Sequence, residues 1–254
     1  MTLKELRLPL LAVAASTLFA AALARATVTE TFAKTYPLAS DGSIRLENVN
    51  GSIEITGWDK NEVSLEAETR AKTDEDLKKV HLRIEDTPNT LSIKAEYEKK
   101  SGWFGGTVDA SVHFKLMVPA GARLEKIESV NSDIMVAGIR GPVRLATVNG
   151  RVQATGLAAD TKMESVNGRL DAEFASVGAA GEVKLESVNG SVELVLPHDA
   201  GANLRTSTVN GGISVEQAIK LSNSSHHNLA GQIGTGGPAV SIETVNGGIK
   251  IREK

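Results

Sequence analysis

The strongest constraint on this chain is a short phrase that keeps returning. Its clearest copy is Glu186-Ser187-Val188-Asn189-Gly190. It recurs as Asn48-Val49-Asn50-Gly51, Thr147-Val148-Asn149-Gly150, Ser165-Val166-Asn167-Gly168, Thr208-Val209-Asn210-Gly211 and Thr244-Val245-Asn246-Gly247, and Ser132 replaces the glycine after Ser129-Val130-Asn131. From Asn131 the asparagines fall at 149, 167, 189, 210 and 246, in steps of 18, 18, 22, 21 and 36. A unit of about twenty residues cannot bury its own apolar face and must stack on its neighbours, so the spacing predicts a solenoid.

Residues around each asparagine show the shape of the unit. Four positions before it stand Leu46, Ile127, Leu145, Met163, Leu185 and Ile242. Three and five positions after it stand Ile53/Ile55, Ile134/Val136, Val152/Ala154, Leu170/Ala172, Val192/Leu194, Ile213/Val215 and Ile249/Ile251. Polar residues alternate with these, the period of two expected of half-buried strands, so each unit reads as two strands meeting at a corner. Asn tolerates the left-handed conformation and Gly adopts it freely, which predicts a tight turn there. Asn-Gly is also a hairpin signal. A fixed apolar position on each side of every copy favours a coil, a parallel and right-handed β-helix or β-solenoid. In that coil Asn50, Asn131, Asn149, Asn167, Asn189, Asn210 and Asn246 form a structural ladder, paired amide to amide.

The ends of the chain read differently. Residues 1–26 have the pattern of a signal peptide: Lys4 and Arg7, an apolar run from Leu8 to Leu23, and Ala24-Arg25-Ala26 as a small-x-small cleavage site, giving a mature start at Thr27. An uncleaved anchor is the alternative. There is no cysteine, so neither a disulfide nor a lipid-modified cysteine is available. Without residues 1–26 the chain carries 25 basic against 30 acidic side chains, a net charge near −5 that argues against nucleic acid.

Residues 27–118 are rich in strand patterns without the clean period and are expected to cap the stack. Thr73 to Val80 is the one helical stretch, with Thr73 placed to cap it and Asp74, Glu75 and Asp76 at its positive end. The repeats occupy 119–254, with a loop insertion at 216–240, read as a degenerate rung with a protruding loop. Leu116-Met117-Val118-Pro119-Ala120-Gly121-Ala122 is echoed at Leu194–Ala202, where Pro and Gly make a wider corner.

The apolar-Pro-x-Ala-Gly corner, the Val-Asn-Gly phrase, Ile55-Thr56-Gly57-Trp58-Asp59 and the final Thr244-Val245-Asn246-Gly247-Gly248-Ile249 resemble the bacterial β-strand-repeat family of unknown function grouped as adhesins. That resemblance covers almost all of the chain after residue 26. It implies a β-helix-like fold and an extracytoplasmic, periplasmic or secreted setting, and it supplies no catalytic residues.

Residues that could carry chemistry are few. Glu47, Glu128, Glu164, Glu186 and Glu243 stand three positions before the asparagine, interrupted by Ala146 and Ser207. Ca²⁺ needs six to eight converging oxygens, and the Asp-rich loop spacing that supplies them is missing, so a solvated column offset by Arg144, Lys162 and Lys184 is the expectation. No metal site, cofactor or catalytic group is expected. Adjacent His226 and His227 lack a third ligand at metal spacing. Asp133, Asp171, Lys162 and Arg169 are the set a β-helix enzyme acting on envelope polysaccharide would draw on, but no spacing selects them. Trp103 and Phe104, between Gly102 and Gly105-Gly106, form the candidate partner contact, two large aromatics on a glycine-flanked tip. The sequence thus reads as a non-catalytic extracytoplasmic β-solenoid, adhesin-like, meeting a cell-envelope protein or glycan and spanning no membrane once the signal is cleaved. The alternatives are the polysaccharide enzyme and a membrane-tethered envelope-stress accessory protein.

Overall fold

The computed structural model of the protein describes residues 27–98 and 108–254. In chain order these form β1 (Val28–Pro37), β2 (Ser43–Glu47), β3 (Ile53–Trp58), β4 (Glu62–Ala71), the short helix α1 (Asp74–Leu77), β5 (Val80–Thr87), β6 (Thr90–Tyr97), β7 (Ala110–Pro119), β8 (Arg123–Asn131), β9 (Ile134–Ala137), β10 (Val143–Asn149), β11 (Val152–Leu157), β12 (Thr161–Asn167), β13 (Leu170–Phe174), β14 (Glu182–Asn189), β15 (Val192–Leu196), β16 (Ala202–Asn210), β17 (Ile213–Val215), β18 (Ile219–Ser224), β19 (Asn228–Ile233), β20 (Ala239–Asn246) and β21 (Ile249–Glu253). The fold is all-β.

Strands that end in the Val-Asn phrase gather in one sheet, here the phrase sheet, ordered β18-β19-β16-β20-β14-β12-β10-β8-β2-β6-β5. Strands that follow the phrase gather in the other, the return sheet, ordered β1-β4-β7-β3-β9-β11-β13-β15-β21-β17. From β7 to β17 the chain alternates between them, one strand in each, and every copy of the phrase contributes one rung of a two-sheet β-solenoid. Rungs stack parallel and in register: Leu145 lies opposite Met163, Met163 opposite Leu185 and Leu185 opposite Ile242, all buried. Opposite them Val152, Leu170, Val192 and Ile249 line the return sheet, and the two rows close a single aliphatic core. The register holds because a slip of one residue would turn every inward side chain to solvent.

Both ends of the stack are finished with antiparallel strands. At the amino-terminal end β4 pairs with β1 and β7, and β7 lies parallel beside β3, while the β5–β6 hairpin extends the phrase sheet beside β2. Helix α1 is a single turn, with the Thr73 hydroxyl accepting from the Asp76 amide at 3.1 Å. Residues Ser43–Glu47 and Ile53–Trp58 stack in register on β8 and β9, so the first rung comes from the amino-terminal part of the chain.

At the other end, stacking order departs from chain order. Strands β20 and β21 lie between the β14/β15 rung and the β16/β17 rung, so the last copy of the phrase is the second from the end of the stack. The stretch 216–240, read from sequence as a loop insertion, contains β18 and β19, a hairpin whose second strand pairs antiparallel with β16. That hairpin takes the outer edge of β16, and the inner edge receives β20.

The corner also differs from the expected turn. Among the described residues no residue other than glycine has a positive φ, so the asparagines are not left-handed and sit at the ends of extended strands. The glycines answer mainly to close approach. A Cβ on Gly168 would overlap the carbonyl oxygen of Gly150, one on Gly190 that of Gly168, and one on Gly247 that of Gly190. Only Gly51 (φ 121°) and Gly150 (φ 150°) among the phrase glycines add a conformational demand.

Candidate functional site

Within the phrase, strand alternation gives each position a direction. The hydroxyl residue two before the asparagine points inward and is buried in Thr147, Ser165, Ser187, Thr208 and Thr244. Its hydroxyl donates to a carbonyl of the adjacent rung: Ser187 to Gly168 at 3.1 Å, Thr244 to Gly190 at 3.0 Å and Thr208 to Gly247 at 3.0 Å. The asparagines stand at the corner in stack order. Asn210 Nδ2 donates to Asn246 Oδ1 at 2.8 Å, Asn246 to Asn189 at 2.7 Å, Asn189 to Asn167 at 2.9 Å, Asn167 to Asn149 at 2.8 Å, Asn149 to Asn131 at 2.8 Å and Asn131 to Asn50 at 3.0 Å. All six bonds run the same way, so each amide polarises the next. The row ends on Asn50, whose Nδ2 reaches the Ala110 carbonyl at 3.4 Å. Beside it the Tyr97 hydroxyl donates to Asn48 Oδ1 and the Asn50 carbonyl, and burial pushes the Tyr97 phenol up to about 12, which keeps its proton.

The outward positions form a different pattern. Pairing across the rungs lines up Arg45, Lys126, Arg144, Lys162 and Lys184 in one column of the phrase sheet and Glu47, Glu128, Ala146, Glu164, Glu186, Glu243 and Ser207 in the next. A third column holds the valine of every copy: Val49, Val130, Val148, Val166, Val188, Val245 and Val209. Six of these valines are between 39% and 60% exposed, most of the large apolar side chains the described surface shows. Between the glutamate and valine columns runs a groove of about 850 Å³ along the stack, with Lys94 and Ala95 at its head.

Glutamates on this face are tied to the basic column on their far side. Lys162 Nζ meets Glu164 Oε1 and Lys184 meets Glu186 Oε1, both at 2.9 Å, while Lys126 bridges Glu47 and Glu128. The Lys126 hydrogen bond holds the Glu47 carboxyl below the ordinary carboxylate range, and Glu186 raises the Lys184 ammonium. Lys126, Lys162 and Lys184 thus balance Glu47, Glu128, Glu164 and Glu186 from behind.

The other residues singled out by sequence do not assemble into a site. Lys162 lies on the phrase sheet, whereas Asp171 belongs to the return sheet, with Arg169 just before its strand and paired to it. Arg169 pairs with Asp171 and Glu193, and Arg252 also reaches Glu193. Asp133 accepts the Arg151 amide at 2.8 Å. His226 and His227 sit at the exposed tip of the β18–β19 hairpin with ring centroids 4.9 Å apart. Among the described residues no group of three or more His, Cys, Asp or Glu is placed to hold a metal ion. Trp103 and Phe104 lie outside the described residues, as does the signal pattern at 1–26. The valine column is what the sequence reading passed over, although alternation from the buried Leu185 and Ser187 already points Glu186 and Val188 outward together.

Among solved structures, the chain is similar to a putative cell adhesion protein from Clostridium sporogenes ATCC 15579, with 14% identity, 89% of this chain and 100% of that chain covered, and a TM-score of 0.49. A putative adhesin from Bacteroides fragilis NCTC 9343 shares 13% identity over 89% of this chain and 97% of that one, with a TM-score of 0.40. A third, a putative adhesin from Parabacteroides distasonis ATCC 8503, shares 14% identity over 89% and 97% with a TM-score of 0.31. No curated protein matches the sequence. The family model described as Toastrack DUF4097 matches residues 126–252, half of the chain and the whole run of rungs from β9 to the end of the stack. The protein belongs to the Toastrack DUF4097 family.

Proposed function

We propose that this protein is an exported, non-catalytic interaction protein of the bacterial envelope, which meets an envelope protein or glycan through the outer face of its phrase sheet. The observation that carries the reading is the valine column. Seven rungs repeat an apolar side chain that the core does not need, on a face where scattered exposure would be the ordinary outcome. Four of the five glutamates beside it are engaged by lysines along the face, whereas catalysis needs several polar groups converging on one point. Export rests on the pattern of residues 1–26, and among the described residues no helix is long and apolar enough to cross a membrane.

Two measurements test the reading. The purified protein is applied to an array of glycans and envelope components alongside the triple variant Val148→Ser, Val166→Ser, Val188→Ser. Signal on the array that the triple variant loses, with an unchanged denaturation midpoint, supports the face; signal that the variant keeps overturns it. Mass spectrometry of protein from the native envelope should find an amino terminus at Thr27, and residues 1–26 still attached would favour the tethered alternative.

A further inference from the structure

We infer that the occupant of the groove is one amphipathic α-helix, about five turns long, with an apolar stripe bordered on one side by Lys or Arg. The inference rests on the proposed function, since it names what the same face would hold. Three features of the groove select this partner over others.

Its size excludes a folded domain as the natural fit. Seven rungs at roughly 4.8 Å give a length of about 29 Å, and the two walls, being two residues apart along each strand, stand about 7 Å apart. A strip of that plan suits one secondary-structure element rather than the roughly 800 Å² face each partner buries in a stable protein–protein interface, and the contact expected here is a weak one. The same length corresponds to about 19 residues of α-helix, which at about 10–12 Å across would lie over the trough with one stripe of its side chains between the walls.

Its floor excludes an extended peptide. All seven strands beneath the groove, β2, β8, β10, β12, β14, β20 and β16, are paired on both sides, so their backbone donors and acceptors are already engaged within the sheet. An extended segment lying across them could add no strand to the sheet, and its carbonyls, facing aliphatic and carboxylate walls, would find few donors, at a cost for each group removed from water. A helix satisfies its backbone internally and presents only side chains, the usual solution for an apolar groove.

Its walls set the helix chemistry. One wall is aliphatic and wants Leu, Ile or Val; the other is carboxylate. The lining carries five glutamates, Glu47, Glu128, Glu164, Glu186 and Glu243, against one lysine, Lys94, so a cation approaching along the groove meets a row of carboxylates. A helix bordered by acids would meet like charge there, whereas Lys or Arg would meet opposite charge and fix the direction in which the helix lies.

The experiment uses the full chain and two synthetic twenty-residue helices, identical in a leucine stripe, one bordered by lysines and the other by glutamates at the same positions. Fluorescence anisotropy should show saturable one-to-one binding of the lysine helix and at least tenfold weaker binding of its twin. Val166→Asp with Val188→Asp should weaken binding at least tenfold, Glu164→Lys with Glu186→Lys should erase the preference between helices, and Gln153→Lys on the return sheet should change neither. Far-UV circular dichroism and the denaturation midpoint check that each variant is folded; Val166→Ser with Val188→Ser gives the same test should the aspartates prevent folding. Equal affinity for the two helices, binding that survives the valine changes, or no binding of either helix overturns the inference. If neither helix binds while the triple serine variant still loses its array signal, the helix is wrong and the face stands; if the array signal also survives, both fall.

Discussion

The corner and the groove are built from the same phrase, yet they answer to different pressures. At the corner every residue has a packing reason. The glycine has no room for a Cβ, the hydroxyl satisfies a carbonyl of the adjacent rung, and the asparagine both donates and accepts along the row. One position away, the valine is about 40% exposed and touches the interior with only part of its surface. Repetition alone therefore does not separate structure from function. A repeated residue with a full set of interior partners is accounted for by folding; one that faces solvent at every rung is not.

Substitutions can break this contrast, and the largest effect belongs to the glycine. Gly190→Ala puts a methyl group against the Gly168 carbonyl in the middle of the stack, where neither rung can give way without losing register. It should cost on the order of 3 kcal/mol in denaturant unfolding, and a change below about 1 kcal/mol would show that the rungs are less tightly stacked. Asn189→Ala and Asn167→Ala each remove one donor and one acceptor from the amide row and should cost about 1–2 kcal/mol. Asn50→Ala, at the end of the row, should cost less; equal and negligible losses at all three positions would argue that the row adds nothing to stability. Ser187→Ala should fall near 1 kcal/mol, since the Gly168 carbonyl, at the corner between β12 and β13, loses its hydroxyl partner.

On the groove side, Val188→Ser should move stability by no more than about 0.5 kcal/mol while changing what the face binds. A loss as large as that at Asn189 would erase the distinction between the two regions. The smallest effect concerns acid. Because Lys126 holds Glu47 below its ordinary value, the pair stabilises the fold at neutral pH, and that contribution is lost as pH falls through the folded value. Partial exposure of both groups keeps it small. Lys126→Met should flatten the acid limb of a stability–pH curve slightly, and an unchanged limb would show that solvent already screens the pair.

Much of the groove is legible in the sequence. Buried Leu185 and Ser187 flank Glu186, and the period of two then sends both Glu186 and Val188 outward. The glutamates were read this way because charge draws attention, whereas valine in a strand reads as core by default. Trp103 and Phe104 are conspicuous for another reason, as aromatics beside glycines in a chain with only nine aromatic residues, and this candidate contact lies outside the described residues.

The sequence by itself determined the rung: which residues face the core, which meet the neighbouring rung at the corner, and that the copies must stack. Only the tertiary structure decided the order of stacking, with Asn246 seated between Asn189 and Asn210. The physical reason is that every copy presents the same inward row, the same corner and the same pair of edges, so local pattern allows any copy to pair with any other. What breaks the tie is the hairpin of β18 and β19, which claims one edge of β16 and leaves the other for β20. In the same way, the need for glycine at the corner lies in the distance between two rungs far apart in sequence, a quantity that no single phrase contains.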